Sequence, residues 1–160
     1  MAKLEISICI QNEFEPYVTE DWLKDIALEV FNIECITLPV EMGLVITDTE
    51  TVQNLNWTYR GKNEPTDVLA FSMLPGPEDD SKPFVAPPDG VCHLGEVVIS
   101  FPQAVQQANK QGHQVEQEVA LLVIHGVLHL LGYNHEQSEE EQRMRAKERE
   151  VLEKAKYIWG

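Results

Sequence analysis

The sequence is poor in cysteine, in basic residues and in long apolar runs, and each shortage argues against a class of protein. Its three cysteines are far apart and form no C-x-x-C pair, which argues against a disulfide-stapled secreted domain. The longest apolar stretch is far shorter than the roughly 20 residues of a membrane span. The amino terminus has no apolar signal segment. We therefore expect a soluble cytoplasmic protein that does not enter a membrane.

The shortage of basic residues also limits the partners. Twelve Lys and Arg stand against 27 Asp and Glu, which gives a formal net charge of −15. This balance argues against a surface that binds polyanions without selection, and we expect no binding to DNA. The sequence contains no phosphate-binding P-loop, no G-x-G-x-x-G and no G-x-S-x-G. Any phosphate-binding site must therefore be a small local patch.

The spacing of apolar residues predicts an α+β fold in a single domain spanning residues 1–160. Alternating residues predict half-buried strands, and a run that is apolar on both faces predicts a central strand. We expect one mixed sheet of about four strands packed with helices. The predicted strands are 4–10, 40–47, 68–73 and 95–99, and helices are predicted to begin near Thr19, Asp48, Ser100, Val119 and Ser138. The proline-rich stretch 75–93 is predicted to be a surface loop or flap.

Three of the five histidines lie within the eleven residues from His125 to His135. Residues 119–131 are otherwise almost wholly apolar, which predicts a buried helix with His125 and His129 roughly 40° apart on one face. Gly132 is typical of the residue that ends a helix, after which His135 can fold back. One histidine here would be typical of a core residue, but three unpartnered imidazoles would be costly to bury. The spacing therefore predicts one zinc ion on three imidazoles with one coordination position open.

The same string matches the metzincin pattern H-E-x-x-H-x-x-G-x-x-H at every position except one. Gly126 stands where the protease has its glutamate base. The pattern thus favours a zincin-like metal site on a buried helix and disfavours an ordinary peptidase. The group that accepts the proton is left open.

Arg60 is the other side chain that we single out. It precedes the predicted central strand and follows a helical pattern, so it can project into the cleft that holds the metal. A cation at this position is also typical of a residue that only complements the helix dipole. If the substrate carries a phosphate, a guanidinium there can bind its oxygens in a forked geometry. Glu118, two turns before His125, is either an acceptor for a histidine ring N–H or only a charge at the amino end of the helix.

Three stretches, of which the histidine string is the last, together resemble the YbeY family of bacterial rRNA maturation endoribonucleases. They are residues 55–60 continuing to 65–71, residues 94–100 and residues 125–135. The string H-G-x-L-H-L-x-G-Y-x-H is highly specific, and the other stretches support it. The sequence departs from the family pattern at Ala70, Glu96 and Asn134, where serine, aspartate and aspartate are usual. None of these departures removes a predicted metal ligand or Arg60.

The resemblance implies a zinc-dependent, single-strand-directed endoribonuclease that processes the 3′ end of small-subunit rRNA and takes part in ribosome quality control. It implies one zinc ion on His125, His129 and His135, and a catalytic role for Arg60. The implied partners are an rRNA precursor and a small-subunit ribosomal protein or assembly GTPase. Two other functions remain open: a zinc hydrolase of amide bonds with Glu96 or Glu118 as its base, and a non-catalytic ribosome-assembly factor stabilised by zinc.

Overall fold

The fold is built from one sheet and five α-helices in the part of the chain that a computed structural model describes, residues 4–34, 36, 39–73, 91–132 and 138–154. The strands are β1 (Leu4–Ile10), β2 (Val40–Thr47), β3 (Val68–Ser72) and β4 (Cys92–Ser100). The helices are α1 (Glu20–Ile33), α2 (Thr49–Arg60), α3 (Phe101–Gln111), α4 (Val115–Leu130) and α5 (Ser138–Lys154). A short 3-10 turn, Asn12–Phe14, was not predicted.

The sheet is mixed, in the order β1-β2-β4-β3. β1, β2 and β4 are parallel, and β3 is antiparallel to β4. The predicted α+β class with one mixed four-stranded sheet is confirmed. The prediction that residues 68–73 form a central strand was wrong, because β3 is the last strand of the sheet among the described residues. Its residues are apolar on both faces because α4 packs on one face of this strand and α2 on the other.

Local hydrogen bonds explain why three helices begin where the sequence predicted. In each case the side-chain oxygen of the residue before the helix accepts a hydrogen bond from a backbone N–H of the first turn. Thr19 Oγ1 accepts from Trp22, and Ser100 Oγ accepts from Gln103. Asp48 Oδ1 accepts from Thr51 at 2.7 Å. Hydrogen bonds to the side chain and backbone N–H of Thr51 hold the pKa of the Asp48 carboxyl below its usual value.

The histidine-bearing helix α4 is the centre of the molecule. It contacts α1, α3, α5, β3 and β4, and most of its side chains are buried. The buried apolar residues around it form the main core between the inner face of the sheet and the helices. A smaller apolar cluster joins α2 to the outer face through Val52, Leu69 and Val98. Burial also raises the pKa of the Cys92 thiol, which makes it a poor nucleophile.

The predicted loop 75–93 falls mainly on residues 74–90, which lie outside the described residues. β4 begins at Cys92, three residues before the predicted start at Gly95, so the last two positions of the predicted loop belong to a strand. Among the described residues, none of the helices combines the length and the apolar character that crossing a bilayer requires.

Candidate metal centre and substrate cleft

Two histidines project side by side from the otherwise apolar helix α4. The ring nitrogens His125 Nε2 and His129 Nε2 lie 3.1 Å apart, and the ring planes are inclined by 72°. Both histidines are half-buried, whereas Ile124 and Leu128 beside them are fully buried. One helical turn separates the two histidines, so their imidazoles project from the same face of the helix.

The second ring nitrogen of His125 is held by a carboxylate from the last helix. His125 Nδ1 lies 2.5 Å from Glu148 Oε1, and only 16% of the Glu148 side chain is exposed. A carboxylate accepts hydrogen bonds only, so Nδ1 carries the proton and donates it. In neutral His125 the lone pair is then on Nε2, which faces His129. Histidines that bind metals are usually oriented by such a carboxylate.

The pair fits a shared divalent cation. Bonds of about 2.0–2.1 Å to a tetrahedral zinc put two ligating nitrogens about 3.3 Å apart, close to the separation of His125 Nε2 and His129 Nε2. Within residues 4–34, 36, 39–73, 91–132 and 138–154, no group of three His, Cys, Asp or Glu side chains could hold a metal ion. A complete site therefore needs a ligand from elsewhere. The predicted third ligand, His135, lies outside the described residues.

Both imidazoles open into a cleft of about 370 Å³ that Arg60 also lines. Its walls come from the carboxyl end of α2, the following loop, β3 and α4. The charged side chains along it are those of Arg60, Lys62, Glu64 and Asp67. The structure thus brings Arg60, from the carboxyl end of α2, to the same cleft as the two histidines.

The end of α2 explains how Arg60 reaches this position. Gly61 follows it with a left-handed backbone, φ +70°, which ends the helix and turns the chain toward the cleft. The buried Asn56 side chain donates a hydrogen bond to the backbone oxygen of Glu64 at 3.0 Å, which fastens the loop to the helix. The Arg60 side chain itself is exposed and can reach a ligand in the cleft.

Comparison with known proteins identifies the family. Residues 7–156 match the family described as Endoribonuclease YbeY. The chain belongs to the YbeY endoribonuclease family. It is 44% identical to the Endoribonuclease YbeY of Dehalococcoides mccartyi strain CBDB1, over 94% of this chain and 96% of that one. It is 42% identical to that of Roseiflexus sp. strain RS-1, over 92% of this chain and 90% of the relative.

The fold also resembles a solved structure. The solution structure of TM1509 from Thermotoga maritima matches with a TM-score of 0.63 and 24% identity, and covers 96% of this chain and 91% of that one. At this identity the likeness concerns the fold alone. Membership of the YbeY family is what makes the chain an endoribonuclease, a metal-dependent hydrolase whose substrate is RNA.

The packing of α4 on β4 explains why position 126 of this YbeY chain is a glycine. A Cβ atom at Gly126 would lie 2.5 Å from Val97 Cγ1 and 2.9 Å from Val97 Cγ2. Because α4 packs this closely on β4, a larger residue between the two histidines requires Val97, the sheet or the helix to shift. A glutamate, which metzincins have at this position, would meet the same contact.

Two carboxylates that the sequence offered as candidates, those of Glu118 and Glu96, lie outside the cleft. Of the two roles considered for Glu118, the structure favours the charge in the first turn of α4, because its buried carboxylate lies 2.7 Å from His113 Nε2 and not beside His125. Glu96 alternates along β4 with Val97, which packs on α4, so its side chain lies on the opposite face of the sheet, against Gly43. Neither residue lines the cleft. The structure therefore gives no support to the alternative function of an amide hydrolase with Glu96 or Glu118 as its base.

The site residue that sequence reasoning missed is Glu148. It lies in a charge run that was interpreted as a solvated helix face. The overlooked signal was its spacing, because Met144, Glu148 and Val151 follow the i, i+4, i+7 pattern of one helical face, and Met144 and Val151 are buried. A carboxylate on a buried stripe indicates a specific partner.

Proposed function

We propose that this YbeY chain is a zinc-dependent, single-strand-specific endoribonuclease that matures the 3′ end of small-subunit rRNA and serves in ribosome quality control. The proposal takes residues 1–160 as one catalytic domain that works in the cytoplasm. The observation that carries it is the shared cleft, which is lined by Arg60 together with His125 and His129. Metal ligands beside a guanidinium suit the cleavage of a phosphodiester.

His125, His129 and His135 would hold one zinc ion. Held there, zinc would supply a Lewis acid that either lowers the pKa of a coordinated water to about 7 or polarises a phosphoryl oxygen directly. Glu148 keeps the proton of His125 on Nδ1 and so keeps Nε2 available as a ligand. Burial of α4 in the core fixes the helix that carries the two histidines, so the ligands move little when substrate enters.

Arg60 would bind the scissile phosphate. Its guanidinium offers several N–H donors in a planar fork, which matches two phosphate oxygens and offsets the charge that grows on them during cleavage. Glu64 and Asp67 line the same cleft and are the carboxylates within it that can accept a proton. Attack by the neighbouring 2′-hydroxyl would leave a 2′,3′-cyclic phosphate, whereas attack by water would not. Analysis of the RNA ends separates the two.

The net charge of −15 implies that this chain does not bind its RNA by electrostatics alone. We expect the rRNA precursor to be delivered in a ribosomal particle, with a small-subunit ribosomal protein or an assembly GTPase as the contact.

The test compares cleavage by wild type, His129→Ala, Arg60→Ala and a control, Arg143→Ala, whose exposed arginine lies on α5 outside the cleft. We expect Arg60→Ala to retain its metal and cleave a single-stranded rRNA fragment about 10²–10³-fold more slowly. His129→Ala should lose both metal and cleavage, and Arg143→Ala should match wild type. Full cleavage by metal-loaded Arg60→Ala would contradict the phosphate role, and equal cleavage of duplex RNA would contradict the strand preference.

A further inference from the structure

Two large aromatic side chains stand exposed beside Arg60 at the end of α2. Trp57 is 59% exposed and Tyr59 is 68% exposed, although aromatic rings of this size are usually largely buried. At about 100° per residue, Arg60 lies between them around the helix, roughly 60° from Trp57 and 100° from Tyr59. Around α2 the two aromatic positions therefore lie on either side of Arg60, outside the lining of the cleft itself.

The Tyr59 ring is held in place. It packs edge-on against Phe71 of β3, with centroids 5.4 Å apart and planes inclined by 65°. Phe71 packs on the apolar cluster between α2 and the outer face of the sheet, so this contact fixes Tyr59 against β3 while most of its ring surface stays open. A ring that is already fixed loses little conformational entropy when a ligand stacks on it.

The acidic charge of the chain means that ion pairing contributes little to the binding of RNA. Among the described residues that line the cleft, Arg60 and Lys62 are the cations, and the chain as a whole repels phosphate. Binding of an RNA strand therefore needs a source of free energy other than ion pairing. Stacking of unpaired bases on aromatic rings is such a source, because every base presents a π-face and the interaction does not depend on net charge.

From these observations we infer that Trp57 and Tyr59 are a stacking platform for unpaired bases of the RNA, on either side of the phosphate that Arg60 contacts. Bases in a duplex are stacked on their neighbours and cannot lie flat on these rings without unpairing. The platform thus gives the proposed single-strand specificity a physical origin. The inference rests on the proposed function for the location of the phosphate.

The test measures binding, so it does not depend on cleavage. A fluorescent oligouridylate of about ten nucleotides is compared with an abasic oligomer of the same length and charge, by anisotropy, on the full-length protein with and without a chelator. Wild type should bind the oligomer that carries bases roughly tenfold more tightly. The double variant Trp57→Ala/Tyr59→Ala should bind both oligomers equally, and Trp57→Phe/Tyr59→Phe should restore the preference.

Tyr17 supplies the matched control. It is 66% exposed and stacks on Phe101, away from the cleft, so Tyr17→Ala removes an equally open ring and should leave the preference unchanged. A double variant that is folded by circular dichroism and still prefers bases would overturn the inference. The inference would also be overturned if the double variant kept its preference for bases and lost only its binding to a ribosomal protein, because the rings would then be a protein interface. Lack of cleavage with an intact preference would count against the proposed function alone.

Discussion

The hydrogen bond between Glu148 and His125 decides which nitrogen of this histidine faces the cleft. Because Nδ1 donates to the carboxylate, Nε2 is the nitrogen left to bind a metal. The carboxylate also restricts the rotation of the imidazole. This single contact joins α5 to the candidate metal centre.

Glu148→Ala is expected to weaken metal binding by about 10- to 100-fold. Glu148→Gln, whose amide oxygen can still accept the hydrogen bond but carries no charge, should fall between Ala and wild type. Competition with a chromogenic chelator measures the affinity without any need for RNA. Glu150→Gln is the control, since it removes the same charge from an exposed position of α5. Unchanged metal affinity in Glu148→Ala would show that this contact does not support the site.

Gly126→Ala is expected to destabilise the protein by about 1–3 kcal/mol, because the new methyl group overlaps both methyl groups of Val97. Urea denaturation of wild type, Gly126→Ala, Val97→Ala and the double variant gives the coupling free energy between the two sites. We expect the double variant to be more stable than the sum of the single effects. Strict additivity would argue that the close approach of α4 to β4 is not what requires glycine here.

The residues of the site differ in how far the sequence could predict them. His125 and His129 are neighbours because of helix geometry alone, so their spacing was enough to predict that they meet. Glu148 and His125 are 23 residues apart and meet only through the packing of α5 on α4. No local pattern contains that contact, and the same holds for the overlap of Gly126 with Val97.

At the scale of elements, the amino end of α2 links stability to pH. Asp48 caps this helix, and its lowered pKa means that the charged carboxylate is favoured in the folded state. The stability that the charged carboxylate contributes is complete above its ordinary pKa of 3.8. It is lost as the pH falls through the lowered pKa of the folded state. Asp48→Asn keeps a capping oxygen and should lose this part of the pH dependence.

Asp48→Ala removes the cap altogether and is expected to cost about 1 kcal/mol near neutral pH. Thermal denaturation between neutral and acidic pH measures both effects. If wild type and Asp48→Asn lost stability in parallel over the acid range, the capping carboxylate would not be the group that titrates.

The position of β3 shows why topology was harder to predict than the elements. Hydrophobic periodicity reports which faces of a strand are covered, and β3 is covered on both. It does not report whether both edges are paired. That residues of β3 line the cleft therefore became visible only in the fold.

At the scale of the whole molecule, the acidic charge predicts an unusual response to salt for a protein that binds RNA. Single-stranded nucleic acid releases roughly 0.7 counterions per phosphate contacted, so contacts to Arg60 and Lys62 predict a slope of about −1.4 for log K against log salt. Titration of an oligoribonucleotide at several salt concentrations measures it. A slope several times steeper would mean that a larger basic surface takes part.

The central claim is that ring nitrogens of His125, His129 and His135 bind one divalent ion that keeps a coordination position free of protein. The most direct measurement is a crystal structure of the zinc-loaded protein with anomalous data at the zinc absorption edge. We expect a single peak within bonding distance of His125 Nε2, His129 Nε2 and a nitrogen of His135, in the cleft that Arg60 lines. A peak elsewhere, or a fourth protein ligand on the ion, would contradict the account.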